Sequence, residues 1–289
     1  MTELAGKRIL ITGGAGGLGR RTALEFAARG AELVLWDLDE ARLEATTADL
    51  LEASGRRAHG YVVNVMQREM VYATARQVEE EVGPIDIVVN NAGIVSGRSF
   101  LELSDEAIER TFGVNTLALF WVTRAFLPGM LERNHGHVVT IASASGWVGV
   151  ARLADYAASK WAAVGFDESL RMELRQKGSG VRTTCICPFY INTGMFDGVK
   201  TRFPWLLPIL EEKAVAARIV KAVERNEARV MLPPVLALVP VGRFLPTAMF
   251  DALSEFLGVN ATMDEFKGRR RADTEEPEAT AGPVSRMAH

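Results

Sequence analysis

The stretch Arg8-Ile9-Leu10-Ile11-Thr12, followed at once by Gly13-Gly14-Ala15-Gly16-Gly17-Leu18-Gly19, decides the fold. Five residues dominated by β-branched and aliphatic side chains read as a buried strand, and the glycines after them as a tight turn into a helix that starts at Gly17. Glycines at such a turn let the backbone fold sharply and let a pyrophosphate approach the helix N-terminus, where free N–H groups and the helix dipole favour an anion. Twenty positions after Gly17, Asp37 closes the next apolar run, Glu32–Asp37. An acidic residue at that distance is placed to accept a hydrogen bond from the ribose 2′-hydroxyl of a dinucleotide.

Outward from this unit the same alternation continues. Helical patterns are predicted over Gly17–Ala28, Ala41–Ala53, Met70–Val82, Asp105 to about Leu131, Tyr156–Gln176 and Glu212–Arg225. Between them lie strand patterns at Ala58–Val65, Ile85–Asn90, His137–Ala142 and Val181–Cys187, with a last one at Arg229–Leu232. Strands alternating with helices predict a doubly wound α/β fold, a mostly parallel sheet covered on both faces. The expected organisation is one Rossmann-type domain over residues 1–232 with an apolar insert at 189–212, an apolar extension at 233–266 and a disordered tail at 267–289.

Composition narrows the function. With 48% hydrophobic and 24% charged residues the chain can build a core, and 33 basic against 36 acidic side chains leave no electrostatic footprint for nucleic acid. Met1–Lys7 carries no apolar run, so no secretory signal is expected. The most apolar stretch, Val230–Gly242, is too short for a transmembrane helix and contains three prolines, though it could lie on a membrane surface. Cys185 and Cys187 are expected as buried thiols on opposite faces of a strand, with no disulfide and no shared metal site, in a reducing, cytoplasmic compartment. His135 and His137 lack the carboxylates or cysteines that would complete a metal site. Arg269-Arg270-Arg271 reads as a solvated tail that could touch anionic lipid.

The chemistry-bearing residues cluster late in the domain. Tyr156 and Lys160 stand four residues apart, on one face of a helix, where an ammonium favours the phenolate and makes the tyrosine a candidate general base for an alcohol proton. Ser143 follows a strand thirteen residues earlier, and Asn90-Asn91-Ala92-Gly93 ends another. Strand carboxyl ends collect ligands in such sheets, so these groups and the glycine turn should open on one edge.

In these residues the chain resembles the short-chain dehydrogenase/reductase family over about residues 5–230. The likeness rests on the glycine turn, Asn90–Gly93, Asn115, Ser143 and Tyr156-Ala157-Ala158-Ser159-Lys160. It implies a tetrad in which Tyr156 is the acid/base, Lys160 lowers its pKa and binds the nicotinamide ribose, Ser143 holds the reacting oxygen, and Asn115 holds a proton-relaying water. It also implies cofactor contacts at Thr12, Gly13, Gly17, Leu18, Gly19, Asp37, Asn64, Val65, Asn91, Ala92, Gly93, Pro188, Ile191 and Thr193. Two positions depart from the usual pattern: Phe189 stands where glycine is frequent, and Asn64 where aspartate is usual.

Downstream, residues 188–196, 203–210 and 263–266 are similar to the branch of retinol and 17β-hydroxysteroid dehydrogenases, which implies NAD and lipophilic alcohols. Asp37 agrees with NAD, since it would repel the 2′-phosphate of NADP. Ser143, Trp147, Phe189, Met195, Phe196 and Trp205 are the expected pocket residues, with Trp147 either pocket wall or core. The leading expectation is an NAD-dependent oxidoreductase for a bulky apolar alcohol or its carbonyl, working as a homodimer or homotetramer. An NADPH-dependent carbonyl or 3-oxoacyl reductase and a non-enzymatic dinucleotide-binding module are the alternatives.

Overall fold

The computed structural model describes residues 1–268 of the 289-residue chain. Of the tail expected from Lys267, residues 269–289, the arginine triplet included, lie outside the described residues. Seven strands, β1 (Arg8–Thr12), β2 (Glu32–Asp37), β3 (His59–Val62), β4 (Ile87–Asn90), β5 (His137–Ile141), β6 (Arg182–Pro188) and β7 (Arg229–Leu232), form one sheet in the order β3-β2-β1-β4-β5-β6-β7. Every pairing is parallel. The apolar runs that predicted these strands are apolar because both faces are covered: β5 and most of β6 are buried throughout.

Nine helices lie among the described residues: α1 (Gly17–Ala27), α2 (Glu40–Ser54), α3 (Arg68–Glu81), α4 (Asp105–Phe112), α5 (Ala118–Glu132), α6 (Ala154–Gln176) and α7 (Glu212–Arg225) join the strands, and α8 (Val239–Gly242) and α9 (Thr247–Phe256) follow β7. Local chemistry sets their ends. The Asp39 side chain caps α2 by accepting from the Arg42 amide, and Gly55 ends that helix with φ +67°, a left-handed conformation that glycine adopts at little cost. One face of the sheet packs on Phe26, Leu43, Leu50, Ile219 and Val223 from α1, α2 and α7. The other packs on Val71, Val78, Val122, Phe126 and Leu174 from α3, α5 and α6. Each such side chain, fully buried, contributes about 1.5–3 kcal/mol.

Residues 105–132 are long and apolar enough by composition to cross a bilayer, but Ala118, Val122, Phe126 and Met130 of that stretch pack into the sheet core. The stretch is also not the uninterrupted α-helix that its periodicity predicts. A π turn at Gly113–Leu117 separates α4 from α5, and Asn115 lies at its centre. Single π turns are uncommon and often mark functional positions.

Two further expectations are corrected. β3 stops at Val62 rather than Val65, because the Asn64 side chain accepts from the Met66 amide at 3.0 Å and turns the chain out of the sheet. Cys185 and Cys187 do not face opposite sides of β6. As alternate residues of a strand they share one face, with the two Sγ atoms 3.7 Å apart, both thiols free and both buried.

Candidate active site

The strand order reverses at β1, whose neighbours β2 and β4 carry the chain in opposite directions, and the segments leaving β1 and β4 meet at the carboxyl edge of the sheet. Thr12 sits at that meeting point. Its Oγ1 accepts from the Asn91 and Ala92 amides at 3.0 and 3.1 Å, while Asn91 Nδ2 donates to the Thr12 and Gly13 carbonyls at 2.9 and 3.1 Å. The turn after β1 and the turn after β4 are thereby one rigid unit.

Glycine is required in that unit for lack of space. A Cβ on Gly19 would lie 2.1 Å from the Gly13 carbonyl oxygen, and one on Gly13 would lie 3.0 Å from Ala92 Cα. Gly13 and Gly17 also hold φ of +62° and +49°. Gly16 precedes α1 and supplies no side-chain cap, so the first amides of the helix are left to an outside acceptor. The free amides and the positive end of the helix suit an anion such as a pyrophosphate.

Asp37 ends β2 beside it. One carboxylate oxygen accepts from the Ala15 amide at 3.0 Å, and the other from the Leu38 and Asp39 amides at 2.8 and 3.3 Å. The arginines nearby are engaged by other acids, Arg42 by Asp39 at 3.0 Å and Arg20 by Asp49 at 2.5 Å. Val65 is buried just beyond β3, next to the Asn64 turn.

Around the edge, α6 brings Tyr156 and Lys160 under the segment that leaves β5. Gly146 permits this approach, since a Cβ there would lie 2.7 Å from the Lys160 carbonyl oxygen. Lys160 is buried, and its Nζ donates to the Ile141 carbonyl at 2.8 Å. Asn115 is held on both sides: its Oδ1 accepts from the Ile94 amide at 2.9 Å, and its Nδ2 donates to the Ile94 carbonyl at 2.9 Å and to Ser159 Oγ at 3.0 Å. Ser159 Oγ in turn donates to the Tyr156 carbonyl at 2.7 Å. A Cβ placed on Gly93 would lie 3.4 Å from Asn115 Oδ1 and 3.5 Å from Lys160 Nζ, so these groups converge on one point.

The electrostatics differ from the sequence expectation. Burial pushes the Tyr156 phenol well above its ordinary value, and the Ser143 hydroxyl, which favours the phenolate, does not offset it. Lys160 Nζ stands 5.7 Å from the Tyr156 ring centre and points to Ile141 instead. Burial also brings the Lys160 ammonium down to about 8. In the protein alone Tyr156 therefore keeps its proton, while Lys160 is poised to exchange one near neutral pH.

Apolar side chains close over Tyr156. The Phe196 ring stands edge-on to it at 5.7 Å, Tyr190 lies 5.0 Å from Phe196, and Phe189 lies 4.6 Å from Tyr190. Ile191 and Thr193 sit where the insert is fastened, with Ile191 bridged to Leu210 and the Thr193 amide donating to the Ile191 carbonyl at 2.8 Å. The Met195 amide donates to Thr193 Oγ1 at 3.4 Å. Of the expected pocket residues, Met195, Trp147 and Trp205 are not part of this cluster. Trp147 packs with Leu119, Ala142, Cys185 and Cys187, its ring 4.6 Å from the Arg229 guanidinium, and Trp205 is 80% exposed on the outside of the insert.

Val95, Val150 and Leu153 join the cluster without a motif of their own, and Tyr190, Met263 and Phe266 join it from the stretches that carry the downstream resemblance. Asp155, next to Tyr156, is a buried carboxylate that accepts from Ser96 Oγ at 2.9 Å and Thr111 Oγ1 at 2.8 Å, tying α6 to α4 and to the segment after β4. An acid beside the key tyrosine was the available signal for it.

The family pattern of short chain dehydrogenases matches residues 7–202, from β1 into the first part of the insert. The chain is a short-chain dehydrogenase. Human epidermal retinol dehydrogenase 2 is 44% identical over 271 residues, covering 93% of this chain and 88% of the relative. Estradiol 17-beta-dehydrogenase 11 of Rattus norvegicus is 43% identical, with 89% and 86% covered. Among solved structures, a short chain dehydrogenase/reductase from Burkholderia phymatum in complex with NAD superposes with a TM-score of 0.75 at 29% identity, covering 84% of this chain and 95% of that one. An alcohol dehydrogenase from Thermococcus sibiricus complexed with 5-hydroxy-NADP superposes with a TM-score of 0.69 at 26% identity, covering 78% and 95%. As a member of this family the short-chain dehydrogenase described here is an oxidoreductase acting on CH–OH groups with a nicotinamide dinucleotide.

Proposed function

We propose that this short-chain dehydrogenase uses NAD to interconvert a bulky apolar alcohol and its carbonyl. The observation that carries the reading is the setting of Tyr156, an ionisable phenol enclosed by Phe196, Tyr190, Leu153 and Met263, beside Ser143 and Lys160. An apolar wall around a few polar groups selects an apolar substrate and fixes only its reacting oxygen. The names of the retinol and estradiol dehydrogenases among its relatives agree with that class. Support for NAD comes from Asp37, a carboxylate at the ribose position whose neighbouring cations are already paired.

The dinucleotide, when bound, supplies the hydride acceptor for the alcohol or the hydride donor for the carbonyl. Gly13, Gly17, Leu18 and Gly19 would seat its pyrophosphate, Asp37 its ribose, and Asn64 and Val65 the adenine end. Thr12 with Asn91, Ala92 and Gly93 would form the floor, and Pro188, Ile191 and Thr193 would border the nicotinamide. Ser143 Oγ would orient the substrate oxygen; in reduction the Tyr156 phenol donates its proton to that oxygen, and in oxidation it must first give up its own proton, toward Lys160, before it takes the alcohol's. Lys160, brought down to about 8, can pass that proton on, and Asn115 fixes the turn that carries Gly93 beside it.

The test is a matrix of NAD and NADP against short alcohols, retinol and hydroxysteroids, with Tyr156→Phe as control. NAD-linked turnover confined to the bulky apolar alcohols, and abolished by Tyr156→Phe with NADH binding retained, is the expected result. Preference for NADP or for small polar alcohols would overturn the reading.

A further inference from the structure

Beyond α9, residues 262–267 fold back across the insert and reach the site. Met263 is completely buried and Phe266 half-buried, and both pack in the apolar cluster that contains Tyr156. Phe266 lies 6.4 Å from Phe196, the ring that stands edge-on to Tyr156. On its other side it presses on the segment after β4: a Cβ at Gly97 would lie 2.0 Å from the Phe266 ring. Phe266 thus fills the gap between the segment after β4 and the insert.

Polar bonds fasten this segment to the insert on both sides of the two apolar side chains. Thr262 Oγ1 spends its hydrogen on the Val259 carbonyl at 2.7 Å, so the Tyr190 hydroxyl is the donor in the 2.8 Å bond between Tyr190 and Thr262. Lys200 Nζ pairs with Glu265 at 2.6 Å, and the Lys267 amide donates to the Asp197 carbonyl at 2.8 Å. Tyr156 is only 5% exposed beneath this cover. A substrate oxygen reaches the phenol only by lying against the cover or by displacing it.

We infer that Met263 and Phe266 are specificity-determining residues: residues 262–267 form a strap across the substrate site, and these two side chains set the width of alcohol it admits. The inference rests on the functional reading above, and it names the substrate class more narrowly, as uncharged alcohols whose apolar body packs on an aromatic and a thioether side chain. Both features come from the C-terminal extension, beyond the residues matched by the family pattern.

Three variants test it. Phe266→Ala opens a ring-sized space, so the ratio of kcat/KM for a rigid hydroxysteroid to that for a slim linear alcohol should rise by about tenfold, the scale on which a hydrophobic pocket discriminates. Phe266→Leu should restore most of the original ratio. Thr262→Val leaves the Tyr190 hydroxyl without its acceptor, and hydrogen exchange in the peptide spanning residues 259–267 should accelerate at least about fivefold while exchange in β4 and β5 stays unchanged. A ratio that stays constant as both substrates lose activity together would overturn the specificity role. Exchange that is unchanged in the strap, or accelerated equally everywhere, would overturn the fastening. Failure of the wild-type protein to oxidise any alcohol would refute the functional reading instead, a result distinct from turnover with unaltered preference.

Discussion

At Asp37 one carboxylate has two jobs, one observed and one proposed. Its three backbone acceptor bonds hold the turn after β1 against the end of β2, and in the proposed function its charge selects the ribose of NAD. Asp37→Asn removes the charge and keeps one acceptor oxygen, its amide nitrogen facing either the Ala15 amide or the Leu38 and Asp39 amides, so the first job is weakened too and the comparison of the two dinucleotides isolates the second. A hydrogen bond to a charged group is worth about 1.5–3 kcal/mol, hence the KM for NAD should rise about tenfold or more. The KM for NADP should fall over the same series, because the repulsion of its 2′-phosphate disappears while Arg20 and Arg42 remain. Steady-state titration of both dinucleotides checks this. Equal changes for the two would mean that Asp37 serves the turn alone.

Among the elements, the β1–α1 turn offers a sharper contrast. Gly19→Ala forces a methyl to within 2.1 Å of the Gly13 carbonyl and 2.6 Å of Asn91 Nδ2, both parts of a rigid unit. Gly16→Ala meets nothing nearer than the movable end of Arg42 at 3.8 Å, and its backbone is extended. Overpacking of this kind costs about 1–3 kcal/mol or more, so Gly19→Ala should lower Tm by about 5 °C or more while Gly16→Ala leaves it nearly unchanged. Thermal unfolding of the two variants measures the difference, and equal Tm values would refute the packing argument. The glycine turn, the strands and the Tyr156–Lys160 spacing were legible in the sequence because each is set by local pattern. The π turn at Asn115 was not, since the apolar period runs through it without a break. Nor was the place of Phe266 or of Trp147, which depends on contacts with Gly97 and Arg229, distant in the chain. The cysteine pair was legible and misread: two residues along a strand return to the same face.

Across the whole molecule, the core between β5, β6 and α6 holds two titratable groups that oppose each other. His137 on β5 is buried, and its Nε2 faces Thr184 Oγ1 at 2.7 Å. The threonine spends its own hydrogen on the Glu227 carbonyl at 2.8 Å, so Nε2–H is the donor and Nδ1 carries no proton. Burial, with Arg182 and His135 adding to it, brings the His137 imidazole from 6.5 down to about 3. Asp167 on α6 is likewise buried, and burial pushes its carboxyl from 3.8 up to about 7 against the pull of Thr140, Arg171, Thr183 and Arg229. Between about pH 4 and 6.5 the unfolded chain binds one more proton at position 137 and one fewer at position 167. His137 therefore costs stability as pH falls through this window, and Asp167 adds stability as pH falls, each by about 1.4 kcal/mol per pH unit. In the wild-type protein the two slopes cancel. Asp167→Asn should expose the histidine slope, with stability falling on acidification. His137→Gln, which keeps a donor for Thr184, should expose the opposite slope. Urea unfolding at pH 4.5, 5.5 and 6.5 reads both, and slopes of the same sign in the two variants would show that these groups do not titrate as their burial dictates.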